Sequence, residues 1–309
     1  MSAIRANAIA IVSDEDARPG LVSAVVLGGG RVVEPGPEAI GLIWSAGPEG
    51  LADTIAACPD LVWVQLPAAG IETYVASGAL DERLTWTSAK GSYAAPVAEH
   101  ALMFALALLR VLPERVRATS WGRSAGFSLH GLRTLTIGGG GIATELVRLL
   151  SVFDTEDVIV RRQAEPVPGA RRTVTLDDLD AELPEADVIF VAAALTPETQ
   201  GLLTEARLRA MRPGAILVNV ARGGLLDTEA LLRVLADGHL GGVGLDVTDP
   251  EPLPEGHALF GADRVIVTPH TADTLEMIRP LLAARVRRNV AAFLAGEELE
   301  GRVDVARGY

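Results

Sequence analysis

Short β-rich runs alternate with stretches of helical periodicity along the chain. A first series comprises AIAIV at 8–12, AVVL at 24–27, GLIWSA at 41–46, LVWVQL at 61–66 and LTWTSA at 84–89. A second comprises LTI at 135–137, VIV at 158–160, DVIFVAAA at 187–194, AILVNVA at 215–221, GVGLDV at 242–247 and RVIVTP at 264–269. Strands that are apolar at consecutive positions predict burial on both faces, in parallel sheets flanked by helices. Two such series predict an α/β fold with two doubly wound lobes. Two helices stand out between and after them. EHALMFALALLRVL at 99–112 is apolar on nearly every side, and 276–294 places Ile278, Leu281, Leu282, Val286, Val290 and Phe293 at helical spacing. Both are candidate hinge helices. The stretch GGGRVVEPGP at 28–37 has no amphipathic helix behind it and reads as a plain loop.

Composition narrows the function classes. The 309 residues are 49% hydrophobic, enough to fill a sizeable core. A net charge of −13 argues against general affinity for nucleic acid or anionic membrane, so any positive site must be local. The longest apolar run, at 101–109, has nine residues, against roughly 20 for a membrane span. The first twenty residues carry scattered charges in place of a secretory apolar block, and Cys58 is the single cysteine. A cytoplasmic protein without a disulfide framework is expected. His100, His130, His239 and His257 lack ligand spacing, so structural or solvated roles and no catalytic metal are expected.

LTIGGGGIATEL at 135–146 fits G-x-G-x-x-G/A through Gly138, Gly140 and Ala143, directly after a strand. Ile142, Leu146, Leu149, Leu150 and Phe153 then mark one helix face packing on a sheet. Such a turn lets a pyrophosphate approach the backbone, and the helix N-terminus attracts its charge. About 20 residues on, an NAD site offers an acid to the ribose 2′-hydroxyl. Arg161 stands there, followed by Arg162. An arginine binds a 2′-phosphate by charge-assisted hydrogen bonds, so NADP is the preferred cofactor expected, with NAD possible.

Three further ionisable residues follow consecutive strands: Arg222 in NVARGGLLD, Glu251 in LDVTDPEPLP and His270 in VIVTPHTADT. Open α/β sheets bind ligands at the carboxyl ends of their strands, which gives this shared placement its weight. With GGGGIA, LTPETQGLL at 195–203, AEH at 98–100 and FLAGEEL at 293–299 in the same order, the chain resembles the D-isomer-specific 2-hydroxyacid dehydrogenase family over almost its whole length.

The resemblance implies a Rossmann dinucleotide-binding domain at 98–280, inserted in a smaller flavodoxin-like substrate domain formed by 1–97 and 281–309. It also implies an active site between the lobes, and usually a homodimer. Arg222 would bind the substrate carboxylate and carbonyl oxygen, His270 would be the acid/base, and Glu251 its carboxylate partner. That division of labour suits reduction of a keto carbon, where a developing alkoxide needs a proton and a nearby positive charge. Gly141, Ile142, Leu195, Val220, Ala221, Asp246 and Ala272 would complete the cofactor site with the residues already named, Asp246 contacting the nicotinamide carboxamide. Ala69 and Gly70, in WVQLPAAGIE, would offer backbone amides to the substrate.

The chain departs from the family pattern at several points: Ala68-Ala69-Gly70 replaces the usual Gly-x-Gly, Thr248 stands at a commonly aromatic position, and Asp273 replaces a small residue. The expected activity is NADP-linked reduction of a small 2-keto acid such as glyoxylate or hydroxypyruvate. The alternatives are an NAD-linked relative acting on formate, phosphite or phosphoglycerate, and a dinucleotide-sensing binding module like the corepressors of the family.

Overall fold

The computed structural model describes residues 7–305. Two compact units divide them: one runs through Tyr93 and resumes at Thr274, and the other spans Ala94–Asp273. The crossings fall at the start of the helices Ala94–Leu109 and Leu275–Ala295. Both lie a few residues ahead of the expected 97/98 and 280/281.

The first unit holds five parallel strands: β1 (Ala8–Ser13), β2 (Arg31–Val33), β3 (Gly41–Ser45), β4 (Trp63–Gln65) and β5 (Thr85–Thr87). Their order is β2-β1-β3-β4-β5, the flavodoxin-like winding. Two sequence expectations are corrected here. AVVL at 24–27 is not a strand but the end of the helix Arg18–Leu27. Leu21, Ala24 and Val25 are buried at helical spacing while Val26 and Leu27 are exposed, and nothing breaks the helix before Gly28. The strand instead comes from RVV at 31–33, read as loop because glycines and prolines flank it. It is short and half-buried, as suits an edge, and pairs Ala8 with Arg31 and Ala10 with Val33. In the returning segment, Leu282, Val286 and Val290 of the helix Leu275–Ala295 join Ile9, Ile11 and Trp63 in one core.

The second unit holds β6 (Arg133–Ile137), β7 (Glu156–Val160), β8 (Arg172–Val174), β9 (Val188–Val191), β10 (Ile216–Asn219), β11 (Gly242–Leu245) and β12 (Val265–Val267). All pair in parallel, in the order β12-β11-β10-β9-β6-β7-β8. β8 has no counterpart in the sequence reading: RTV is three residues long, begins with an exposed arginine and lies at the sheet edge. Along β9 and β10, Ile189, Val191 and Leu217 face one apolar core while Val188, Phe190, Ile216 and Val218 face the other. This double burial is why the strands lack polar alternation. The strand order reverses at β6, whose neighbours are β7 and β9. Because every strand is parallel, all carboxyl ends lie along one edge, with the switch point beside the end of β6.

Candidate active site

The glycine turn occupies the switch point. Gly138 has φ +118°, and its N–H donates to the Val160 carbonyl at 2.7 Å. A Cβ there would lie 2.4 Å from the Ala192 carbonyl oxygen, so no other residue fits without moving the backbone after β9. Gly140 caps the helix Gly141–Leu150, and a Cβ at Gly140 would meet nothing within 4 Å. An open space at a helix N-terminus fits a pyrophosphate. Gly141 is exposed, Ile142 half-buried and Ala143 fully buried, the last letting the helix lie close to the sheet. Arg161 follows β7 directly and packs over Gly139, while Arg162 beside it is exposed.

At the end of β10, buried Asn219 shapes the turn carrying Arg222. Its side-chain amide donates to the Arg222 carbonyl at 2.9 Å, and its oxygen accepts from Ala221 N–H at 3.0 Å. Val220 and Ala221 are buried, and the half-buried Arg222 donates through Nη1 to the Ala221 carbonyl at 2.7 Å. The next residue must be glycine, since a Cβ on Gly223 would stand 1.9 Å from the Thr248 carbonyl oxygen. This close approach brings the loop after β10 against the loop after β11. Half-buried Leu195, after β9, lies next to Gly224.

His270 and Glu251 meet. Nδ1 of His270 lies 2.6 Å from Glu251 Oε1, and Glu251 Oε2 accepts a long hydrogen bond from Thr248 N–H at 3.4 Å. A carboxylate only accepts, so the proton on this contact belongs to Nδ1, and Nε2 lies outside it. The His270 backbone has φ +53°, an uncommon conformation for a non-glycine residue. Two hydrogen bonds hold it, from His270 N–H to the carbonyls of Asp246 at 2.8 Å and Thr268 at 3.0 Å.

Asp246 organises the same loop. Its Oδ1 accepts from Thr268 Oγ1 at 2.5 Å and from Thr271 N–H at 2.8 Å, and its Oδ2 accepts from Ala272 N–H at 3.0 Å. The residue is buried, and so is Ala272. Both carboxylate oxygens of Asp246 thus hold residues 268–272 in place. His100 was expected to be structural or solvated. It stands 3.0 Å from Thr268 Oγ1 and 3.6 Å from Asp246 Oδ1, so it belongs to this network. No local signal could have revealed a contact between residues 168 positions apart.

Asp273 is half-buried, within electrostatic reach of His270, Asp246 and Arg222. Burial pushes its carboxyl above the ordinary range, Asp246 adds to the rise, and His270 and Arg222 oppose it. An acid with a raised folded-state pKa contributes its stability when protonated, below the unfolded value of about 3.9, and loses it as pH rises through the folded value. Asp273→Asn should therefore raise the thermal midpoint more at pH about 7 than at pH about 3.5. Equal shifts at both pH values would contradict this assignment.

In the other unit, the candidate substrate loop follows β4. Tyr93 Oη donates to the Pro67 carbonyl at 2.5 Å and Ala89 N–H to the Ala68 carbonyl at 2.9 Å, with Ala69 exposed and Gly70 half-buried.

A family model for the NAD-binding domain of D-isomer-specific 2-hydroxyacid dehydrogenases matches residues 101–272. The chain belongs to this family. It is 38% identical over 256 residues to an uncharacterized Corynebacterium melassecola protein, a match covering 81% of this chain and 84% of the relative. A glycerate dehydrogenase of Methylorubrum extorquens is 31% identical over 259 residues, covering 80% of each chain. A D-3-phosphoglycerate dehydrogenase of Mycobacterium tuberculosis is 32% identical over 277 residues, covering 88% of this chain but only 52% of that relative, so the chain spans about half its length. Among solved structures, a D-isomer-specific 2-hydroxyacid dehydrogenase from Xanthobacter autotrophicus Py2 in complex with NADPH and MES aligns with a TM-score of 0.85 at 27% identity. That alignment covers 98% of this chain and 99% of the other. The family comprises NAD(P)-linked oxidoreductases acting on CH–OH donors. Both units carry the parallel-sheet α/β architecture expected of it.

Proposed function

We propose that this enzyme reduces small 2-keto acids of the glyoxylate and hydroxypyruvate class with NADPH as preferred donor. The observation that carries the proposal is the 2.6 Å His270–Glu251 pair on the strand-end edge that also bears Arg222 and the glycine turn. Gly138, Gly140, Gly141, Ile142 and Ala143 would hold the pyrophosphate, Arg161 and Arg162 the 2′-phosphate, and Leu195, Val220, Ala221 and Ala272 would line the rest of the cofactor site. When bound, the dinucleotide supplies the hydride equivalent. His270 would hold a proton at Nε2 and deliver it to the substrate oxygen, while Glu251 at Nδ1 fixes the ring and balances its charge. Arg222 would take the carboxylate and the carbonyl oxygen, stabilising charge as it develops, and the Ala69 and Gly70 amides would complete carboxylate binding.

The glycerate dehydrogenase relative supports the substrate class, and the arginine after β7 supports the phosphorylated cofactor. Arg161→Asp should weaken NADPH binding by about 1.5–3 kcal/mol, the range for a charged hydrogen bond, with less effect on NADH. Equal losses for the two cofactors in fluorescence titrations would contradict the phosphate role. The reading includes a cytoplasmic homodimer: Trp121 is 99% exposed, and exposed Leu112, Val116, Phe127 and Phe260 in the same unit suit a subunit contact. Light scattering on the purified chain tests that part. The substrate class is tested by assaying glyoxylate, hydroxypyruvate, pyruvate and phenylpyruvate with each cofactor.

A further inference from the structure

The arginine assigned to the 2′-phosphate already has an anion against it. Arg161 leaves β7 with its side chain over the glycine turn, its Cδ 2.7 Å from where a Cβ on Gly139 would be. Its Nη2 lies 3.3 Å from Glu165 Oε2, and its Nη1 donates to the Glu165 carbonyl at 3.4 Å. One residue thus meets the guanidinium through both side chain and main chain. The loop carrying Glu165 is tethered nearby: Val167 is buried, its N–H donates to Thr173 Oγ1 at 3.0 Å, and its carbonyl accepts from Ala170 N–H at 3.1 Å. The side chains of Arg161 and Glu165 are 29% and 67% exposed, so the carboxylate can swing into solvent while the arginine stays against the turn. A second acid, Glu198 in the loop after β9, lies within electrostatic reach of Arg162.

We infer that Glu165 is a cofactor-selectivity residue whose carboxylate competes with the 2′-phosphate for Arg161, narrowing the preference for NADPH over NADH. This rests on the reading of Arg161 as the phosphate ligand. A phosphate brings nearly two negative charges and three acceptor oxygens, so it can take the guanidinium from a carboxylate. Taking it means breaking the Arg161–Glu165 pair or keeping two anions side by side. A ribose 2′-hydroxyl meets no such conflict. It can donate to the carboxylate and accept from the guanidinium, so the intact pair suits NADH. An exposed ion pair of this kind changes affinity by roughly 2- to 5-fold.

The test is fluorescence titration of the full chain with NADPH and with NADH, for wild type, Glu165→Gln and Arg161→Asp. Glu165→Gln should tighten NADPH roughly 2- to 5-fold without tightening NADH, widening the ratio of the two Kd values, and added salt should shrink the effect. An NADPH Kd that is unchanged or weaker, or an equal tightening of both cofactors, overturns the inference. The two readings fail separately. If Arg161→Asp weakens NADPH while Glu165→Gln does not tighten it, only the role of Glu165 falls; if Arg161→Asp leaves NADPH binding intact, the phosphate role falls and takes this inference with it.

Discussion

His270→Ala is expected to lower kcat for 2-keto acid reduction by about 10²- to 10⁴-fold, the contribution of a positioned general acid. The expectation follows from how the residue is held. Two backbone hydrogen bonds keep His270 at φ +53° and Glu251 engages Nδ1, so in the proposed function Nε2 exchanges the proton. NADPH affinity should change far less, because the proposed function gives the ring a role in proton transfer and none in gripping the dinucleotide. Glu251→Gln keeps a hydrogen-bond acceptor but removes the charge, so its loss should be smaller and should vary with pH. Steady-state kinetics across pH, with cofactor Kd measured separately, checks both. A His270→Ala enzyme with near wild-type kcat would remove His270 from the chemistry.

Gly138→Ala is expected to be the other severe change, acting on the fold and the cofactor site together. The new Cβ would meet the carbonyl oxygen and carbon of Ala192 at 2.4 and 2.5 Å, which are backbone atoms that cannot rotate away. The residue would also be forced to keep φ +118° or abandon the turn. Strain and displacement together should cost on the order of 3 kcal/mol or more. Thermal denaturation should show the loss, and NADPH titration should show binding weakened beyond detection in what remains folded. A variant with wild-type melting and wild-type Kd would mean that β6 and β9 do not approach as described.

What could be read from the sequence was what repeats or alternates. Strands such as AILVNVA declare themselves because both faces are buried, and the glycine turn because its helix follows at once. Two of the four edge strands do not. RVV at 31–33 and RTV at 172–174 are three residues long, partly exposed and begin with arginine, so their β-branched residues form no buried run that a pattern would pick out. AVVL misled for the opposite reason: β-branched residues suggested a strand, while the helical face set by Leu21, Ala24 and Val25 decided the structure. At the site, Arg222, Glu251 and His270 could be picked out because each follows a strong strand. The Asp246–Thr268–His100 network could not, since it depends on contacts between segments far apart in sequence. Glu165 lay in plain view four residues after Arg161, but four residues of loop carry no distance information, and only the folded chain brings the charges together.

The most direct test of the central claim is kcat/KM of the purified chain for glyoxylate and hydroxypyruvate, with NADPH and NADH compared under one buffer and salt. NADPH-dependent turnover of at least one of the two acids, faster than with NADH and lost in His270→Ala, is the expected result. No turnover with either cofactor, or a clear preference for NADH, would contradict it.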